Sequence, residues 1–317
     1  MTAKNNLIAI ALLLVPAMLH AAASDDERGW WFSERFQGTS NAAGIVLKSN
    51  PAVGYTFNGH VQMYGGAPYY FTRQSAAGSS SASTSFVNGV GNAFTGLLIT
   101  AASDSFKYSS DLVVTAPTGD RTQGFSTGHV TADWTNTFSR PFSSFTPYGS
   151  DGVANTVSDT EFFVRPFTTN GAVLHFEGGA LFKLASHLNA GASAYAVRAA
   201  GQQEIVSKVV EVPSSQSPQT SSSSTPPANG SSKNNGVLST ISQAAQSAGL
   251  GNGKGKQSIF ETSHQTVTTA DALDDHGFST WLSVRPNSTV DFQIGFSRSV
   301  DYQLNSMFFG VGFRVGH

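Results

Sequence analysis

The sequence predicts one transmembrane antiparallel β-barrel of about twelve strands, all-β in class. Three observations predict it. Apolar residues alternate with small or polar ones through most of the chain. Charged residues make up only 12% of the 317, about half the share usual in soluble domains. After the first residues, no apolar run is long enough for a spanning helix, so a membrane location requires a closed sheet.

The chain opens with an export signal. Lys4 supplies a positive start, Leu7 to Pro16 an apolar core, and Ala21-Ala22-Ala23 a small-residue cleavage pattern. Residues 1–23 are therefore expected to be a signal peptide, and 24–317 the barrel. There is no cysteine, which excludes a disulfide framework and attachment through a lipidated thiol. A net charge of -2 leaves no nucleic-acid footprint.

The last segment shows the alternation best. Met307, Phe309, Val311, Phe313 and Val315 interleave with Phe308, Gly310, Gly312, Arg314 and Gly316. Lipid takes the first set and the lumen the second. The same reading gives strands near 29–37, 45–57, 60–73, 90–102, 106–117, 129–138, 143–150, 171–184, 188–199, 276–285, 289–299 and 304–316. Short turns alternate with long polar connections, which puts the short turns and both termini at the periplasmic end. Asn58-Gly59 reads as a type I′ hairpin turn. Trp30, Trp31, Tyr55, Tyr69, Trp134, Tyr148 and Trp281 are expected in the interfacial girdles. Alternation sends Glu34 toward lipid, which a β-bulge or a place near the interface would explain.

One connection is exceptional. Residues 212–259 hold no aromatic and no acidic residue, and 213–236 are rich in Ser, Pro, Asn and Gly. Such a segment cannot bury enough apolar surface to order itself, so 213–255 is expected to be a low-complexity outer loop. Residues 237–250 have a composition compatible with a short helix.

The closing strand resembles the C-terminal signal of outer-membrane barrels, read by the barrel-assembly machinery, though His317 stands where that signal has an aromatic. The stretch from Leu112 to Asp120, with its Pro117-Thr118-Gly119-Asp120 ending, is similar to the strand-end PTGD element of transporter barrels of the phenol-degradation MetA-pathway type. The resemblance implies an outer-membrane barrel and leaves the solute open.

Candidate chemistry is sparse. Gly124 to Gly128 spells the G-x-S-x-G pattern around Ser126, but no helix pattern follows it, so no catalytic residue is assigned. Asp271, Asp274, Asp275 and His276 cluster without the spacing of a calcium loop, and no zinc spacing occurs, so neither metal nor cofactor is expected. Residues 249–256 lack the register of a phosphate loop. By alternation Arg35, Lys48, Asp133, Glu177, Lys183, Arg285, Asp291 and Arg314 face the lumen. The sequence thus points to a non-enzymatic outer-membrane channel or passive transporter in contact with lipid and small solutes. The alternatives are a lipid-modifying barrel enzyme and a structural or adhesive surface barrel.

Replacing residues 213–255 with a short Gly/Ser linker should leave a barrel that still migrates differently in SDS before and after boiling, because loop-closure entropy changes slowly with length. Failure to assemble would mean that the segment packs against the barrel.

Overall fold

A computed structural model describes residues 28–74, 86–160, 163–210, 256, 258–261 and 263–316. Both the signal at 1–23 and the loop at 213–255 lie outside these residues. So do the helix considered at 237–250 and the last residue, His317.

The strands are β1 (Gly29–Ser40), β2 (Gly44–Ser49), β3 (Ala52–Asn58), β4 (Val61–Gly66), β5 (Tyr69–Gln74), β6 (Val87–Val90), β7 (Phe94–Ser103), β8 (Phe106–Thr115) and β9 (Thr131–Ser139). They continue with β10 (Phe145–Ala154), β11 (Phe167–Asn170), β12 (Val173–Lys183), β13 (Leu188–Ala199), β14 (Gln202–Ser207), β15 (Gln265–Thr269), β16 (Asp275–Val284), β17 (Val290–Ser299) and β18 (Leu304–Gly316). Two short helices are α1 (Ser258–Glu261) and α2 (Ala270–Leu273).

Fifteen of these segments form one antiparallel sheet, and β18 pairs with β1 to close it. β2 and β3 are two halves of one strand, as are β4 with β5 and β6 with β7. The wall is therefore a closed 12-strand barrel. Outside, Trp30, Met63, Ile99, Trp134, Phe176, Leu282, Ile294 and Met307 are exposed. Inside, polar and small residues alternate with them. An apolar outer wall on a sheet without edges is the form a transmembrane barrel takes.

The three interruptions were not expected from the sequence, which reads each strand as continuous. They fall side by side, at Asn50-Pro51, Ala67-Pro68 and Gly91 to Ala93. Proline has no N–H for the ladder, which is why two of them break there. Neighbours satisfy the backbone at each gap. Asn50 N–H donates to Arg35 O (2.9 Å) and Gly91 N–H to Pro68 O (2.7 Å). Glu34 finds its reason here. It faces outward, and no bulge interrupts β1 against β18. Its carboxylate accepts from Ser49 Oγ (2.9 Å) and Asn50 N–H (3.1 Å), bracing the broken strand.

The inner wall carries aromatic rings laid flat across glycines of the neighbouring strand. Trp31 covers Gly54, Tyr64 covers Gly96, Tyr148 covers Gly179, Tyr195 covers Gly277, Trp281 covers Gly191 and Phe308 covers Gly295. This corrects the girdle assignment. Trp30, Tyr55, Tyr69 and Trp134 do face outward, but Trp31, Tyr148 and Trp281 are buried in the lumen. The Asn58-Gly59 turn is also different. Gly59 is not in the left-handed region a type I′ turn requires. Instead the Asn58 side chain accepts the N–H groups of His60 and Val61, both at 2.9 Å.

The connection between β13 and β16 is more ordered at its ends than its composition suggests. β11, β14 and β15 form a separate three-stranded sheet over the end away from the termini. Phe167 of β11 stacks on Phe260 of α1 at 4.9 Å, and Tyr302 of the last turn packs edge-on at 5.7 Å. Tyr302 is held by the carbonyls of Ala272 and Leu273. Aromatic and aliphatic burial at both ends of the insertion thus builds a cap.

A Cβ at Gly295 would lie 2.3 Å from the Phe308 ring and 2.5 Å from Thr280 O. Gly295→Val should destabilise the barrel by about 1–3 kcal/mol. Ile294→Val, its lipid-facing neighbour, should cost at most about 1.5 kcal/mol. Urea unfolding in lipid vesicles measures both; equal losses would refute the seating of rings on glycines.

Candidate functional site: the lumen and the loop inside it

Eight charged side chains were assigned to the lumen from the sequence. In the structure Arg35 reaches over Gly310 and Gly312 of β18, which leave room for it, to Asp291 Oδ2 (3.1 Å) and Gln293 Oε1 (2.6 Å) on β17. Arg314 lies 4.2 Å over the Trp31 ring, with Gln62 Oε1 at 3.5 Å. Glu177 is buried and accepts from Tyr148 OH (2.8 Å). Asp133 accepts from Thr135 Oγ1 (3.0 Å) and stands 3.0 Å from His175 Nε2. Lys48 pairs with Asp159 (3.2 Å). Lys183 is exposed at the periplasmic end of β12, and Arg285 lies in the turn after β16. The eight do not converge on one centre.

Asp111 was overlooked. It shares the parity of Lys107 and Ser109 on β8, so the alternation could have found it. Tyr64 OH donates to its Oδ2 at 2.7 Å.

The main departure concerns residues 155–166, read from the sequence as part of an outer loop. Of these, residues 155–160 and 163–166 turn into the barrel instead. Gln37 Nε2 donates to Thr160 O (3.0 Å), and Val164 N–H to Thr39 Oγ1 (3.0 Å), both on the inner face of β1. Ser158 Oγ donates to Asp133 Oδ2 (3.0 Å). Phe163 joins a buried cluster with Tyr148, Leu181, Trp281 and Phe308. The segment therefore touches opposite walls and narrows the lumen.

Asp159 fastens it. Its carboxylate meets Lys48 Nζ (3.2 Å), Lys208 Nζ (3.0 Å), Tyr70 OH (2.6 Å) and Arg165 N–H (2.9 Å). Lys208 follows β14, so one carboxylate ties the wall, the inserted loop and the cap together. The Lys208 ammonium also lies 4.7 Å over the Tyr70 ring. Burial pulls its pKa down, and Asp159 opposes that. No short sequence pattern signals Asp159 or Lys208, because their partners come from three distant segments.

The PTGD element has a structural job at the mouth. Thr118 Oγ1 accepts Ala93 N–H (2.8 Å), and Gly119 N–H donates to Asn92 Oδ1 (3.0 Å), mending the third strand break. The loop beyond it carries Phe125 onto Tyr70, stacked at 5.5 Å. Gly124 turns this loop with φ +78 where a Cβ would meet Ser207 O at 1.8 Å, so no other residue fits there. Ser126 Oγ accepts Gly128 N–H (3.0 Å), a local turn with no strand-to-helix elbow.

The acidic cluster disperses. Asp274 pairs with Arg198 (3.1 Å), and His276 with Asp301 (2.7 Å). Asp275 takes Ser299 Oγ (2.7 Å) and Tyr195 OH (3.1 Å). Lys256 donates to the carbonyls of Asp271 and Asp274.

No family model matches the chain, and no curated protein matches it. Its course is similar to those of several solved barrels. An outer-membrane channel from Pseudomonas putida F1 aligns over 91% of this chain and 95% of its own, at 7% identity and a TM-score of 0.49. A NanC porin aligns over 90% and 100%, at 7% identity and 0.45. A KdgM porin in complex with disordered oligogalacturonate aligns over 90% and 99%, at 6% identity and 0.42. The barrel assignment stands on this chain's own pairing and closure.

Proposed function

We propose that the protein is an outer-membrane channel, or passive transporter, for small polar solutes, with residues 155–160 and 163–166 as its constriction. The observation that supports this best is the lumen. Charged and aromatic groups of both walls face an interior shielded from lipid, and one anchored loop narrows it. In a water path such groups are the strong fields that a solute meets. The export signal expected at 1–23 and the apolar outer wall support the location. The PTGD resemblance points toward transporter barrels of the phenol-degradation type and leaves the solute open. The local turn at Ser126 gives a lipid-modifying enzyme no support.

The lumen charges should control permeation. Arg314→Ala removes one cation while the carboxylates stay, so cation preference should rise. Reversal potential in a salt gradient across a planar bilayer reads this directly, and lipid-facing Phe313→Leu should leave it alone. A folded wild type that conducts nothing would end the channel reading.

The constriction should respond to Asp159. Burial alone would lift this carboxyl, but the Lys208 and Lys48 ammoniums and the Tyr70 hydroxyl outweigh it and hold the pKa below the usual range. A carboxyl depressed on folding contributes stability that is complete above its ordinary pKa, near 3.9, and is lost as pH falls through the lowered value. Wild-type conductance should therefore stay flat down to about pH 4 and rise only in stronger acid. Asp159→Asn removes the charge both ammoniums face. Breaking a buried pair costs about 3–5 kcal/mol, enough to release the loop at neutral pH and raise conductance several-fold. Unchanged conductance in this variant would show that the loop does not limit flow.

A further inference from the structure

We propose that the protein pairs with a second copy of itself through the outer faces of β9 and β10, where Asn136 and Asp151 stand in the lipid belt. Ser110, Asn136 and Asp151 face outward on β8, β9 and β10 and are direct cross-strand neighbours. They form a polar row across an otherwise apolar wall. One layer toward the outer end lie Leu112, Trp134 and Val153, all exposed; one layer toward the periplasm lie Tyr108, Phe138 and Gly149. Ser110 is the middle residue of the outward run Phe106, Tyr108, Ser110, Leu112 and Val114. In an apolar band of about 25 Å the row is thus far from either headgroup layer.

Two groups in the row are unsatisfied. Ser110 Oγ accepts from Trp134 Nε1 (2.8 Å), and Asn136 Oδ1 accepts from Tyr108 OH (2.8 Å). Among the described residues, the Asn136 amide donates no hydrogen bond, and the Asp151 carboxylate accepts none. Acyl chains offer neither donor nor acceptor, so this wall is costly to leave against lipid. Its occupant must bring an acceptor for Asn136 and a donor for Asp151, side by side.

A second copy in the same orientation brings both. A two-fold axis along the bilayer normal, passing between β9 and β10, sets Asn136 of each copy against Asp151 of the other. This is the self-complementary contact of a cyclic dimer. The adjoining layer fits the same operation, because it sets the Phe138 ring of each copy against Gly149 of the other. Gly149 has only Glu177 O, at 3.8 Å, near its missing Cβ, so its outer side is open to a ring. Beside Gly149 the wall stays low, with Gly178 and Ala194 flooring a shallow groove that Phe176, the neighbour of Asp151, borders.

The natural absence of cysteine makes the test clean. A Gly149→Cys protein, treated in native membranes with a thiol cross-linker that spans about 10 Å, the spacing of packed sheet faces, should give a band of twice the chain's mass. Ile294→Cys on the far outer wall should not. Adding Asp151→Leu to Gly149→Cys should lower cross-linking about tenfold, while migration before boiling shows the barrel still closed. Asn136→Leu repeats this from the donor side. Equal cross-linking at both cysteines, none at position 149, or full cross-linking with the polar row removed would each overturn the proposal.

Discussion

The pairing of β1 with β18 is the contact on which the rest depends. In lipid an unpaired peptide group has no solvent to fall back on. A sheet with two open edges would expose such groups along both, and only closure removes them. Closure then dictates the alternation. Once the wall is continuous, every side chain faces either lipid or lumen, and composition follows from which. That is why Arg35 and Asp291 can be charged while Phe32 and Phe292 are apolar. It is also why the three strand breaks need local repairs: Glu34, Pro68 O and the PTGD loop each supply a partner where the ladder fails.

Much of the wall was legible. Alternation located all twelve strands to within a few residues, because the side-chain period of a strand is two and one face of this wall meets lipid. The breaks were not legible, although Pro51 and Pro68 marked two of them. An apolar period that continues through a proline reads as one strand, and only the pairing shows the interruption. The aromatics misled for a different reason. Tyr and Trp suit a membrane interface, but they equally suit a lumen with glycine floors. Trp31 and Trp30 are adjacent in sequence and end on opposite sides of the wall.

The lumen was legible only one residue at a time. Parity tells which way Asp133 or Glu177 points, but not what it meets. Asp133 meets Ser158 and His175, and neither spacing predicts the other. The inserted loop was hidden altogether, since 155–166 is polar enough to pass for a solvated connection. What folds it inward is a set of contacts with strands from both ends of the chain, among them β1, β2, β5 and β18. The cap was hidden likewise. Its core residues Ile259 and Phe260 sit at the edge of a stretch whose composition says nothing of packing.

The rings that lie across glycines have a consequence for assembly. Trp281 fits only over Gly191; had the two strands paired two residues out of step, it would meet Asn189 or Ser193, and a Cβ would stand where the ring must lie. Phe308 makes the same demand of Gly295, and Tyr195 of Gly277. Each of these strand pairs therefore checks its own alignment as it forms. A wall held by backbone bonds alone would accept many alignments of similar energy, whereas here the bulky groups act as keys that admit one. The glycines that look, in the sequence, like mere filler on the inner face are the wards of that lock.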